Sequence, residues 1–130
     1  MRLLLDTHVF LWYITADSRL PAPFLVAIRE PTNEVYLSVA SMWEAVIKYG
    51  LGKLPLPSPP AEYLPQQRDA HNIAPLPIDE GAMPHLAGLP ALHRDPFDRL
   101  LIAQTIQHGL TIATVDTDVL AYSVPRLAPD

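Results

Sequence analysis

Carboxylates stand at four places along the chain where a strand gives way to a helix or a turn: Asp6, Glu44, the pair Asp95 and Asp98, and the pair Asp116 and Asp118. Asp6 ends the apolar run Leu3-Leu4-Leu5. Glu44 falls in the first turns of a helix that follows a strand-like stretch at 34–39. Asp98 falls in the first turn of a helix opened by Asp95-Pro96, and Asp116 follows a strand-like stretch at 110–115. In a parallel α/β sheet such positions gather beyond the carboxyl ends of the strands, where ligands bind. Four carboxylates on one edge repel one another unless a cation sits among them. Hard oxygen donors favour Mg²⁺ or Mn²⁺.

Each station also has a plain structural use. Asp6 suits the N-cap of a helix starting at Thr7. Glu44 follows Ser41 at capping-box spacing, with Ser38 as a competing cap, and Lys48 stands four residues on as a helical ion-pair partner. Asp95, with Pro96 at the first helical position, reads mostly as a cap, and Asp98 as box partner or metal ligand. Asp116 and Asp118 suit a turn and a helix cap, and Asp116 is the favoured ligand because it lies nearer the strand end. Singly these signals are weak. Their recurrence at equivalent ends of alternating elements is what argues for a site.

The elements that must position these acids follow from periodicity and punctuation. Strands are expected at 3–5, 34–39, 73–76 and 110–115, with a last edge strand at 124–127. Helices are expected at 7–14, 21–29, 41–49, 61–70, 79–86 and 95–108, and a helical turn at 118–122. Gly109 closes the helix at 95–108, and Pro spacing keeps 54–60 extended. Strands alternating with helices predict a parallel sheet covered on both faces.

The 130 residues fit one domain, 1–130, with no internal repeat. Hydrophobic residues at 49% and charged residues at 18% exclude a disordered chain. The absence of cysteine removes disulfides, thiolate zinc sites and a cysteine nucleophile. The apolar N-terminal run is too short for a signal peptide, and no stretch approaches the ~20 apolar residues of a membrane span, so a cytoplasmic location is expected. A net charge of −5 with Lys+Arg 9 counts against a bare nucleic-acid-binding module. It counts less against a nuclease whose acids a metal neutralises.

Longer motifs carry a resemblance. Leu4-Leu5-Asp6-Thr7-His8, then Ser38-Val39-Ala40-Ser41-Met42-Trp43-Glu44 with Lys48-Tyr49-Gly50-Leu51-Gly52-Lys53-Leu54, then His93-Arg94-Asp95-Pro96-Phe97-Asp98-Arg99-Leu100-Leu101-Ile102-Ala103-Gln104, and finally Thr114-Val115-Asp116, together resemble PIN-domain ribonucleases. Their order and spacing are similar to the VapC-like toxins of type II toxin–antitoxin systems, over essentially the whole chain. The resemblance implies a three-layer α/β/α fold with a central, mostly parallel sheet and a Mg²⁺- or Mn²⁺-dependent endoribonuclease. It implies Asp6, Glu44, Asp98 and Asp116 as catalytic and metal-binding acids, with Thr114 at the family's hydroxyl position. It also implies products with 5′-phosphate and 3′-hydroxyl ends, an RNA substrate, an antitoxin partner whose tail blocks the acids, and a homodimer.

Phosphodiester hydrolysis needs a nucleophile at neutral pH and charge relief at phosphorus, and a metal supplies both. On this reading Asp6, Asp98 and Asp116 hold the first ion, and Glu44 completes a second site or orients the attacking water. Arg94 and Arg99 are candidate phosphate contacts. His8, His71, His85, His93 and His108 show no metal-ligand spacing, although His8 and His93 adjoin the acids. Phe10, Trp12 and Tyr13 are interface candidates, with core packing as the plainer role. Trp12, Trp43 and Tyr49 are candidates for stacking on bases, again with core packing as the plainer role. Two other classes remain open: a Mg²⁺-dependent phosphatase or phosphotransferase with Asp6 as nucleophile, and a non-catalytic regulatory domain holding a structural cation.

Overall fold

A computed structural model describes residues 1–130. Four short strands, β1 (Arg2–Leu5), β2 (Glu34–Ser38), β3 (Ala74–Leu76) and β4 (Thr111–Ala113), form a wholly parallel sheet in the order β3-β2-β1-β4. Seven helices connect and cover them: α1 (Thr7–Ile14), α2 (Ala22–Arg29), α3 (Val39–Gly50), α4 (Pro60–Ala70), α5 (Met83–Gly88), α6 (Pro96–His108) and α7 (Thr117–Leu120). A 3-10 turn at Glu80–Ala82 leads into α5.

Successive side chains of a strand point to opposite faces. Leu3 and Leu5 therefore join one core with Val9 and Phe10 of α1, Phe24 and Ile28 of α2, and Leu64 of α4. Leu4, between them, joins the other core with Leu101 and Ile102 of α6, Val119 of α7, Ala40 and Leu76. A strand covered on both faces has no polar position to spare, which is why β1 past the exposed Arg2 is the unbroken apolar run Leu3-Leu4-Leu5.

Register decides where the strand ends lie. Leu5 pairs with Leu37 on one side and with Ala113 on the other. The chain leaves β1 toward β2 on one flank and returns on the other flank as β4, so the sheet's switch point lies between β1 and β4. The Asp6 amide donates to the Ala113 carbonyl at 3.0 Å, which places Asp6 and Thr114 side by side at that point.

Several expected boundaries move, each for a local reason. Helix α3 starts at Val39 and not at Ser41, because Ser38 is the cap: its hydroxyl accepts from the Ala40 amide at 3.0 Å. Glu44 is therefore not a capping-box residue. Strand β4 is shorter than 110–115. Leu110 still gives its amide to Thr105 at the end of α6, and the Asp116 amide turns back onto the Thr114 hydroxyl. The helix expected at 79–86 divides into the 3-10 turn, capped by Asp79, and α5. The edge strand expected at 124–127 does not form. One parallel bridge, Ile112 with Arg126, takes its place, since Pro125 has no amide with which to extend a ladder.

Candidate active site

The end of β1 supplies the first acid. Asp6 caps α1, its Oδ1 accepting the His8 amide at 3.2 Å, while Oδ2 accepts the Thr114 hydroxyl at 2.5 Å. Thr114 in turn accepts the Asp116 amide at 3.1 Å, so one hydroxyl ties the ends of β1 and β4 together. Asp6 is only 5% exposed. Burial pushes its carboxyl above the usual range, opposed by the Thr114 and His8 hydrogen bonds, while the nearby charge of Asp116 pushes the same way as burial.

Glu44 projects from the second turn of α3 and is buried. Its Oε1 accepts the Thr7 hydroxyl at 2.9 Å, and its Oε2 accepts the Lys48 ammonium at 2.5 Å. A carboxylate has no proton to give, so Thr7 donates to Glu44 and receives the Ser41 hydroxyl at 2.8 Å. Burial alone would lower the Lys48 ammonium, but Glu44 and the charges of Asp95 and Asp98 outweigh it and hold its pKa above the ordinary value.

Asp95 is the cap of α6, accepting the Phe97 and Asp98 amides at 2.9 and 3.1 Å. Asp98 is free of that duty. It is buried, and its Oδ2 meets His93 Nε2 at 2.9 Å. Burial pushes the Asp98 carboxyl up to about 6; Asp95, Asp6 and Glu44 add to this, and the His93 bond opposes it. The same bond raises His93 above its ordinary value against a smaller effect of burial. Asp116 caps α7, receiving the Asp118 amide at 2.9 Å. Asp118 is exposed, with Oδ2 at 3.9 Å from His93 Nδ1.

His93, Asp98 and Asp116 each offer a ligand atom within 4.8 Å of the others. The charges of Asp95, Asp6 and Glu44, which stand outside that trio, also raise the Asp98 carboxyl, so the negative field extends beyond it. Asp98, raised to about 6 mainly by burial and further by its acid neighbours, has no Lys or Arg partner, and a divalent cation with oxygen donors fits such a site.

The remaining candidates separate. Arg94 is exposed and pairs with no carboxylate. Arg99 gives Nη1 to the Pro90 carbonyl and the Tyr122 hydroxyl, both at 2.9 Å, so it braces the segment before α6. Phe10 lies in the core at 1% exposure and is unavailable to an interface. Trp12 instead holds the Arg19 guanidinium 5.2 Å from its ring centroid. Trp43 is exposed and meets Phe97 edge-on at 5.0 Å. Sequence reasoning gave Thr7 no role at Glu44, and it read His93 and Lys48 in their plainer senses. The adjacency of Thr7 to Asp6 and the Glu44–Lys48 spacing were the available signals.

The PIN-domain family model matches residues 3–125. Ribonuclease VapC22 of Mycobacterium tuberculosis is 28% identical over 124 residues, spanning 95% of this chain and 93% of that protein. Ribonuclease VapC16 of the same organism is 40% identical over 58 residues, spanning 45% of this chain and 41% of that protein, less than half its length. Among solved structures, the fold is similar to a chain in VapBC2 from Rickettsia felis bound to a DNA fragment from their promoter, with a TM-score of 0.71, 14% identity, and 98% of each chain covered. An acid-lined strand edge at the switch point of a parallel sheet, within a match to all but the ends of the sequence, makes this chain a member of the PIN-domain family.

Proposed function

We propose that the chain is a divalent-metal-dependent endoribonuclease, with Mg²⁺ or Mn²⁺ as the ion, working as one unit over 1–130 and acting as the toxin of a toxin–antitoxin pair. The observation that carries this reading is the approach of ligand atoms of Asp98, Asp116 and His93 to within 4.8 Å of one another, beside Asp6 at the same strand edge, in a PIN-domain chain. Its ribonuclease relatives support the choice of RNA, and a toxin–antitoxin complex from Klebsiella pneumoniae that shares its fold supports an antitoxin partner.

Asp6, Asp98 and Asp116 would hold the ion. When bound, it supplies charge relief at phosphorus and a water of lowered pKa. Thr114 keeps Asp6 in one rotamer by occupying Oδ2, and Asp95 fixes the first turn of α6 so that Asp98 stays at the edge. Glu44, held from one side by Thr7 and from the other by Lys48, orients the attacking water. Arg94, unpaired at the rim, offers its guanidinium to a flanking phosphate. Cleavage leaves 5′-phosphate and 3′-hydroxyl ends. No helix is long and apolar enough to cross a membrane.

A protein partner has a surface to use. Val39, Trp43, Val46 and Ile47 of α3 and its C-cap Leu51 are all exposed and recur at helical spacing. That face suits an antitoxin or a second copy in a homodimer.

The test is incubation of the purified protein with total RNA in Mg²⁺, Mn²⁺ or EDTA, beside Asp6→Asn. Discrete fragments that need metal and vanish in the folded variant are expected. Full cleavage by folded Asp6→Asn would sink the reading.

A further inference from the structure

The carboxylates of this site meet different partners. Asp98 and Asp116 bring ligand atoms within 4.8 Å of one another and of His93; Asp6 and Glu44 stand outside that group, and of these two only Glu44 is paired with a cation. Glu44 instead holds an ammonium, Lys48 Nζ, at 2.5 Å, one helical turn along α3. The Glu44 side chain is 4% exposed and the Lys48 side chain 38%, so the bond runs from the protein interior to the solvent side of the acids. The rest of Glu44 is equally occupied, since Oε1 receives the Thr7 hydroxyl, which Ser41 holds in turn.

Resting on the metal-dependent reading above, we propose that Lys48 is the fixed second cation of the site: its ammonium holds Glu44 and fills the charge-neutralising place that a second divalent ion would take, so the chain binds one metal ion. A dication approaching Glu44 Oε2 would meet a positive charge already there, and like charges at that separation repel strongly away from bulk water. Moving Lys48 aside would require a partly buried ion pair to be broken first. Asp98 presents no such obstacle, because no Lys or Arg pairs with it and its hydrogen-bond partner is the His93 imidazole. The ammonium carries three donors and spends one on Glu44, so Lys48 also keeps N–H groups for the oxygens of a phosphate lying over the acids. Lys48 is thus a positioning residue for Glu44 and a one-ion selector for the site.

The test is a Mn²⁺ titration of the full-length protein at neutral pH, with bound ion counted by electron paramagnetic resonance and calorimetry, beside Lys48→Met and Lys48→Arg. The wild type is expected to bind one Mn²⁺, Lys48→Met to bind a second, and Lys48→Arg, which keeps the charge, to return to one. RNA cleavage in the same samples is expected to rise with the first power of free Mn²⁺ in the wild type and with a steeper power in Lys48→Met. The wild-type count needs no variant, so a misfolded Lys48→Met, detected by circular dichroism, does not remove the test. Two ions on a wild-type chain that cuts RNA would overturn the Lys48 role and leave the nuclease standing. A second site absent from folded Lys48→Met would overturn it as well. One ion on a chain that cuts no RNA in any metal would overturn the nuclease, while supporting the charge role of Lys48.

Discussion

Glu44 and Asp98 are both buried carboxylates near the starts of long helices, α3 and α6, and both face the same cluster of acids, yet only one has its counter-cation built in. Glu44 is matched by an ammonium and a hydroxyl. Asp98 has an imidazole whose charge depends on pH, and burial with three neighbouring acids pushes it up to about 6. On the proposed reading, one half of the electrostatic problem is met by a side chain and the other half is left to a metal ion. A site left short of positive charge is costly to the bare fold and is what gives a metal ion its hold.

The largest expected effect separates the two acids. Asp98→Asn should reduce RNA cleavage by roughly 10²–10³-fold, the scale for losing one electrostatic group of an active site. The same change should stabilise the metal-free protein by roughly 2–3 kcal/mol at neutral pH, because it removes a charge the fold disfavours. Glu44→Gln should do the reverse to stability and cost about 1–2 kcal/mol, a figure discounted because the stranded Lys48 side chain is 38% exposed. Chemical denaturation in EDTA reads both, and shifts of the same sign would break the contrast.

Acidity should expose the same difference on a smaller scale. Asp98 and Asp6 are raised above their unfolded values, so their protonated forms favour the fold. His93 is raised as well, so its stabilising contribution is complete below its unfolded value and is lost as pH climbs through the folded one. All three act in one direction: the metal-free protein should lose stability as pH rises from about 4 past 6.5. Metal affinity should run the other way, weakening roughly tenfold per pH unit below about 6 as protons compete for Asp98. Melting in EDTA and Mn²⁺ titrations across this range check both slopes, and a flat affinity between pH 4 and 6 would contradict the assignment of Asp98 as ligand.

The smallest expected effect comes from a hydroxyl. Thr114→Val keeps the shape of the β4 end but removes the donor to Asp6 and the acceptor for the Asp116 amide. Metal affinity should fall about tenfold, as when an outer partner of a ligand is lost. Calorimetry beside Thr114→Ser, which restores the hydroxyl, distinguishes this from a packing defect.

Much of this was legible in the chain because it is local. Asp95-Pro96 opens α6 and Gly109, at φ +63°, closes it; both follow from backbone chemistry within a few residues. The apolar run of β1 and the alternation of strand with helix carry the parallel sheet, and hence the edge on which Asp6, Glu44, Asp98 and Asp116 were expected. Where local signals tied, they failed. Ser38 and Ser41 were both fit to cap α3, and packing chose Ser38, whose hydroxyl also donates to Gln104, 66 residues away. Residues 124–127 had strand-forming character, but Pro125 limits them to a bridge.

By itself, then, the sequence determined the alternation of strand with helix, most of the elements, and that acids mark the ends of several of them. Only the tertiary structure decided how those acids are partnered. Thr114 reaches Asp6 across 108 residues and Thr7 reaches Glu44 across 37, and Arg99 gives Nη1 to a loop carbonyl and the Tyr122 hydroxyl. The reason is physical: caps and periodicity are set by neighbours in the chain, whereas the partner of a buried carboxylate is set by which strands the sheet brings side by side.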